Sequence, residues 1–483
     1  MNGVSLSGYF HIYSKPDSFT KISRTIFLSS ENSLTPFLYP CIVSFPATKE
    51  YFPFSSIGIL TTVNSLTYSF VRAVNAAVRG NKNGTSMPES LSTKLNRITE
   101  KARSNPEFKF KTLGHLLNEE MLTRALNSLK KVAAAGVDGL TAKDYEPNLS
   151  MNIKDLYQRL CQNQYRSQSL RRTYIGKENG EKRPLSIPAL EDKIVQRAVV
   201  EILGRIYEVD FLDCSYGYRP KRNAHDAINF VRDKITLEKV SYVLDADIKD
   251  YFGSIVRSQL MTILEKRIAD KVILRLIGKW LKAGVLEDGQ LLSPMLANIY
   301  LHEVLDAWVE KVVKPRMTGQ VFLCRYADDF VACFQKIVDA KRFYVVLAKR
   351  CAKFGLALHP EKTRLIKFGR FALQDQQKGK PKTFQFLGFT FYCATTMKKK
   401  FIVNLKTAAK RLKRSLTKIE NWCKKNRHLP LSQQRNKLTE MMLGHYQYYG
   451  RSSNSRSLGT FHHAVKRSWH KWLGRRSKNG YMR

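Results

Sequence analysis

The chain has 483 residues, 43% of them hydrophobic, enough for two or three domains with cores of their own. Its 82 Lys+Arg against 40 Asp+Glu leave a net charge of +42, a surplus that repels itself unless a polyanion supplies the counter-charge. No run of about 18 apolar residues marks a membrane span, and eight cysteines without a Cys-x-x-Cys pair argue against a zinc site and for a reducing compartment. Nucleic acid is therefore the favoured partner, ahead of a merely soluble basic protein or a membrane-surface binder.

Residues 1–88 read as a low-charge extension. Up to residue 85 the only acids are Asp17, Glu31 and Glu50, and Pro16, Pro36, Pro40, Pro46 and Pro53 break any regular period. Such a Ser-rich, acid-poor leader fits a poorly ordered extension, a mis-assigned start or an organelle transit peptide. Residues 89–164 read as helical, with Leu116, Leu117, Met121, Leu122, Leu126 and Leu129 near helical spacing. Residues 165–395 mix strands and helices. They hold a hairpin turning at Asn179-Gly180, a buried strand from Val240 to Ala246, and helices at 257–283 and 292–314. A strand pair across 321–334, a helix at 337–355 and strands at 383–392 and 400–404 follow. This order predicts an α+β fold without a strict βαβ repeat.

Residues 396–483 read as almost wholly helical from Lys406 on. Between Phe401 and Arg483, twenty Lys/Arg meet only Glu420 and Glu440, and Trp422, Tyr446, Tyr448, Tyr449, Phe461, Trp469 and Trp472 are interleaved. Cations beside exposed rings suit phosphate contact and base stacking. Alternatively, most rings fill a helical core and only the charges face out.

Two acidic elements carry the chemistry. Phe322–Phe334 is a pair of apolar strands around Tyr326-Ala327-Asp328-Asp329. Adjacent acids at such a tip repel each other, and a bound dication removes that cost. A solvated acidic turn is the other reading, weakened by the long apolar flanks. Upstream, Tyr242-Val243-Leu244-Asp245-Ala246-Asp247 sets Asp245 and Asp247 on one face of a strand. Two strand-borne carboxylate sets can hold two metal ions that clamp both oxygens of a phosphoryl transfer.

These elements, with Lys182-Arg183-Pro184-Leu185-Ser186-Ile187-Pro188, resemble reverse transcriptases, and more narrowly the proteins encoded within bacterial and organellar group II introns. Supporting blocks are Ser215-Tyr216-Gly217-Tyr218-Arg219-Pro220 with Arg222-Asn223-Ala224-His225, and Leu292-Ser293-Pro294-Met295-Leu296-Ala297-Asn298. Gly355-Leu356, Pro360-Glu361-Lys362-Thr363 and Phe386-Leu387-Gly388-Phe389 complete the set, and Gly444-His445-Tyr446-Gln447-Tyr448-Tyr449-Gly450 resembles the family's maturase segment, domain X.

The resemblance covers roughly 110–483 and implies a right-hand polymerase. Its fingers and palm would occupy 165–395, after a helical extension at 89–164, with an all-helical thumb/maturase domain at 396–483. It implies an RNA-directed DNA polymerase that also binds group II intron RNA and assists splicing and mobility. RNA template, DNA primer and dNTPs would be further partners, a homodimer stays open, and no membrane is involved. The implied compartment is the bacterial cytoplasm, with a mitochondrion or plastid as the alternative. By the same resemblance Asp247, Asp328 and Asp329 hold two Mg²⁺ ions, with Asp245 in support. Lys177 and Arg183 grip the incoming triphosphate, Phe252 blocks a ribose 2′-OH or is a core aromatic, and Lys362 lies near the phosphates or is solvated. The Leu387-Gly388-Phe389 turn supports the primer end.

The chain also departs from the family pattern. Leu286-Glu287-Asp288-Gly289-Gln290 runs almost straight into Leu291-Leu292-Ser293-Pro294, where the family carries a longer loop ending in Pro-Gln-Gly. That shortening motivates an alternative, a maturase-type splicing cofactor with impaired polymerase. Gly253 stands where an Asp commonly follows the gate aromatic. No Cys/His cluster for a nuclease follows domain X, so no DNA endonuclease activity is expected.

Overall fold

The first described helices begin where the sequence supplies a cap. Helix α1 (Leu91–Ser104) follows Ser90, whose hydroxyl accepts from Thr93 N at 3.3 Å. Helix α2 (Glu119–Asn127) follows Asn118, whose Oδ1 accepts from Met121 N at 2.9 Å, and Glu119 and Glu120 face the positive end of its dipole. The computed structural model describes residues 90–130, 133–176, 182–284, 291–374 and 381–476, all within one compact unit, Ser86–Arg483. The extension at 1–88, the Asn179-Gly180 turn, Lys177 and the shortened segment Leu286–Gln290 lie outside the described residues.

Helix α3 (Leu149–Cys161) joins α1 and α2 in burying Leu95, Met121, Leu122 and Leu156 in a large core shared with the long helix α4 (Leu190–Asp210). Between α3 and α4, strands β1 (Arg171–Gly176) and β2 (Lys182–Ile187) form an antiparallel ribbon with Arg171 opposite Ile187. Helix α5 (Ala224–Leu237) opens on a reciprocal capping box between Asn223 and Asp226 and leads to β3 (Tyr242–Ala246).

The helix expected at 257–283 is two helices, α6 (Arg257–Glu265) and α7 (Lys271–Ala283). Asp270 makes the break. Its Oδ1 accepts from Val272 N (2.8 Å) and Ile273 N (3.0 Å), starting α7. Its Oδ2 accepts from Leu113 N (2.5 Å) and Gly114 N (2.9 Å), tying that distant backbone segment to the start of α7. Apolar spacing alone does not register such a cap.

Helix α8 (Ser293–Leu301) continues through wider π turns at His302–Asp306 and Val309–Val313. Strands β4 (Val321–Tyr326) and β5 (Asp329–Phe334), helix α9 (Ile337–Lys353) and strand β6 (Arg364–Lys367) follow. The four-stranded antiparallel sheet has the order β4-β5-β3-β6. A second antiparallel sheet, β9-β8-β7, is built from β7 (Phe384–Phe386), β8 (Phe389–Thr395) and β9 (Phe401–Thr407). Phe368, Phe384, Phe389, Phe391 and Val403 join α5 residues in a second core. The fold is thus mixed helix and sheet, as the sequence predicts.

Strand β9 runs to Thr407, and only then do three helices follow: α10 (Ala409–Lys425), α11 (Leu431–Tyr449) and α12 (Ser455–Leu473). Their own core is small: Ile419, Cys423, Leu438, Phe461 and Val465. Trp422, Tyr446, Trp469 and Trp472 pack partly on it, while Tyr448 and Tyr449 pack on the second core. The rings therefore hold these helices in place, and most of the lysines and arginines face out, Arg427, Arg451 and Arg476 being half-buried. Cys324 and Cys333 are buried free thiols, and among the described residues no helix is long and apolar enough to cross a membrane.

Candidate active site

Register brings the acids to one end of the four-stranded sheet. Strand β3 lies antiparallel to β5 with Ala246 opposite Phe330, so Asp247, one residue further, comes level with Asp329. Strands β4 and β5 pair Tyr326 with Asp329 and leave Ala327-Asp328 as a two-residue turn. Ala327 takes a positive φ of 57°, the form that matches a tight turn to strand twist, at a cost of about 1 kcal/mol for a residue with a Cβ.

The electrostatics are those of crowded acids. Asp329 is exposed to solvent, which softens the penalty of desolvation. Desolvation, then the charges of Asp328, Asp247 and Asp245, still push its carboxyl up to about 7, against the pull of Lys362. Asp245 is pushed up to about 6, first by burial, with Arg364 opposing and Asp247 adding to the rise. Lys362 Nζ donates to Asp247 Oδ2 at 2.5 Å, and Arg364 Nη2 donates to Asp245 Oδ2 at 3.4 Å. Lys362 is thus brought to the acid cluster and reaches the carboxylate expected to bind metal.

Among the described residues no group of three or more His, Cys, Asp or Glu side chains forms a ready chelate. The donor set nonetheless fits Mg²⁺. Carboxylate oxygens are its preferred ligands, one or two suffice when substrate phosphates supply the rest, and a dication relieves the repulsion that raises Asp329.

Other expected residues stand as follows. Arg183 lies in β2 opposite Ile175. Phe252 is half-buried against the large core, its ring centroid 5.4 Å from that of Tyr251. A Cβ at Gly253 would meet Asp250 Oδ2 at 2.4 Å, so the Asp250 carboxylate occupies that space. The Leu387-Gly388 turn has positive φ at both residues (48° and 79°). Tyr448 Oη donates to Leu387 O at 2.8 Å, and the carbonyl of Tyr448 meets His225 Nε2 at 2.8 Å. The turn, the 222–225 block and the 444–450 block therefore meet in one place.

Sequence reasoning missed what stands behind the acidic turn. Arg325 is fully buried and uses every nitrogen of its guanidinium. Nε and Nη2 donate to the two oxygens of Asp306 at 2.7 and 2.5 Å, Nη2 also donates to Ser215 Oγ at 2.7 Å, and Nη1 donates to Asn298 Oδ1 at 2.9 Å and Ala327 O at 3.0 Å. Asn298 Nδ2 in turn donates to Gly217 O at 2.7 Å. Gly217 lies so close to the turn that a Cβ there would fall 2.4 Å from Ala327 N. One signal was available: an arginine in the apolar strand 321–326 needs a buried partner.

The comparisons with known proteins agree with this geometry. Residues 175–391 match the family model described as reverse transcriptase (RNA-dependent DNA polymerase). Protein YkfC of Escherichia coli K12 is 31% identical over 285 residues, 50% of this chain and 75% of that protein. The group II intron-encoded protein LtrA of Lactococcus lactis is 35% identical over 229 residues, 44% of this chain and 38% of LtrA. A 91 kDa protein in the cob intron of Schizosaccharomyces pombe is 31% identical over 251 residues, 49% of this chain and 31% of that protein. The chain thus spans well under half the length of the last two. The matched region holds both acidic strand ends, the Arg325 network and the Leu387-Gly388 turn on a fingers-and-palm polymerase fold, and with these relatives it shows that the chain belongs to the group II intron reverse transcriptase/maturase family.

Proposed function

We propose that the protein is an RNA-directed DNA polymerase of a group II intron that also binds its intron RNA and assists splicing and mobility. The carrying observation is the meeting of Asp247, Asp328 and Asp329 at one sheet end, where desolvation and mutual repulsion raise the Asp329 carboxyl. Asp247, Asp328 and Asp329 would hold two Mg²⁺ ions. When bound, these supply charge neutralisation and orientation at the transferred phosphorus. The chain's own part is positioning. Asp329 would serve as a ligand in its ionised form, and Lys362, freed from Asp247, would pair with a substrate phosphate. Lys177, and Arg183 on the β1–β2 ribbon, would bind the dNTP triphosphate, and Phe252 would close the pocket against a ribose 2′-OH. The Leu387-Gly388 turn would seat the primer end, and the three C-terminal helices would serve as thumb and maturase domain X. The bacterial cytoplasm is the proposed compartment.

The test is Mg²⁺-dependent extension of a DNA primer on an RNA template by the purified, folded chain. Extension that stops on chelation supports the reading, and none at any Mg²⁺ concentration sinks the polymerase part. Splicing of the cognate intron lost on truncation after Thr395 supports the maturase part; splicing unchanged by that truncation removes it.

A further inference from the structure

We infer that Arg325, held by Asp306, Asn298 and Ser215, is the positioning residue of the acidic turn, setting where Asp328 and Asp329 stand for metal and nucleotide. The inference deepens the polymerase reading and rests on it. The Ala327 carbonyl accepts from Arg325 Nη1, so one end of the guanidinium grips the turn and the other grips Asp306. Backbone pairing fixes the same strand from the side: Arg325 N donates to Cys214 O at 2.7 Å and Tyr216 N donates to Arg325 O at 2.9 Å.

The helix carrying Asp306 is adapted to this task. Eight residues of regular α-helix would place Asp306 about 80° round from Asn298. The π turn at His302–Asp306 slows the winding and brings both side chains round to Arg325, which each of them contacts. Gly217 completes the seat: its carbonyl is held by Asn298, and its bare Cα lets the backbone of Ala327 rest against it. Three stretches far apart in sequence, 214–217, 298–306 and 325–327, thus converge on one turn. An ion pair kept only for stability needs no hydrogen bond to the peptide beside the catalytic acids.

A buried ion pair can often be replaced by apolar residues without loss of stability, and this separates the two roles. The experiment compares wild type with the double variant Arg325→Met/Asp306→Leu and the mild variant Ser215→Ala. Each is read by thermal unfolding, kcat, KM for primer–template, and Mn²⁺ binding by electron paramagnetic resonance. Positioning predicts a double variant that unfolds near the wild-type temperature, keeps its primer–template KM, binds Mn²⁺ more weakly and loses about 10²-fold in kcat. A double variant within about twofold of wild type in both kcat and Mn²⁺ affinity overturns the inference. If the double variant does not fold, Ser215→Ala decides: a lower kcat at constant KM supports positioning, and no change in kcat or Mn²⁺ affinity overturns it. A wild type that binds Mn²⁺ but extends nothing removes the polymerase reading alone, and the Mn²⁺ comparison then decides this one.

Discussion

The acidic end of the four-stranded sheet and the basic C-terminal helices use charge in opposite ways. At the sheet end a few charges sit against a large core, some of them in named pairs (Lys362 with Asp247, Arg364 with Asp245, Arg325 with Asp306), while Asp329 stands among like charges. In the helices many cations project from elements whose common core is five buried residues. The difference teaches that position matters in the first region and number in the second. Changes at the sheet end should be severe and specific; changes on the helices should be small and cumulative.

The largest effect is expected at the acids. Asp329→Asn keeps the shape of the side chain but removes the charge a metal ion needs. Primer extension should fall by about 10³-fold or more, since metal stabilisation of the transition state is worth several kcal/mol. Affinity for intron RNA should be unchanged in a filter-binding assay. Comparable losses of extension and RNA binding would erase the contrast between the regions. Gly217→Ala ranks next. The added Cβ meets peptide atoms of the turn and not the flexible end of a side chain, so the turn must shift. A displacement of this kind should cost about 10²-fold in kcat with little change in KM for primer–template. Unchanged kcat would show that the seat can yield.

These two predictions also show what was legible in the sequence. The two acidic elements, Asp245 with Asp247 and Asp328 with Asp329, are legible because alternation and a short polar break between apolar runs are local signals; the choice of Asp247, Asp328 and Asp329 as the metal set came from the family resemblance. The α+β order and the strand ends came from the same periodicities. The support was illegible for a physical reason. Ser215, Gly217, Asn298, Asp306 and Arg325 meet through tertiary packing, and a π turn shifts the helical phase by which Asp306 would be placed. The split of the helix expected at 257–283 has a similar origin, a cap at Asp270 that also serves a distant backbone segment. The ring-rich tail left two readings open, and packing favours the core reading for most of its aromatics.

A third effect should be about tenfold and depends on pH. Asp329 is raised to about 7 in the folded protein without metal, well above the ordinary aspartate value near 4. A raised carboxyl contributes stability that is fully present below the unfolded value and is lost as pH rises through about 7. Metal-free protein should therefore unfold more easily at pH 8 than at pH 5.5 as far as this group decides it. Mg²⁺ binds only the ionised form, so its half-saturating concentration should fall by up to about tenfold per pH unit below 7 and level off above it. Asp329→Asn should flatten both trends, and trends that persist in that variant would assign them to another group.

The smallest effects belong to the helices, and they test the other half of the contrast. Lys413 and Lys418 are exposed on α10, a helix with seven cations from Lys410 to Lys425 and Glu420 as its one acid in that span. Removing either as Lys413→Gln or Lys418→Gln relieves repulsion, so thermal stability at low salt should hold or rise slightly. Intron RNA affinity should weaken only a few-fold for either change. The slope of log affinity against log salt should fall by about 0.7–0.9 for each phosphate no longer neutralised, and the two slope changes should add. Additivity is what separates a distributed electrostatic surface from a built site. If one lysine removed most of the affinity, the helices would hold a specific pocket, and the division between position and number would fail on its basic side.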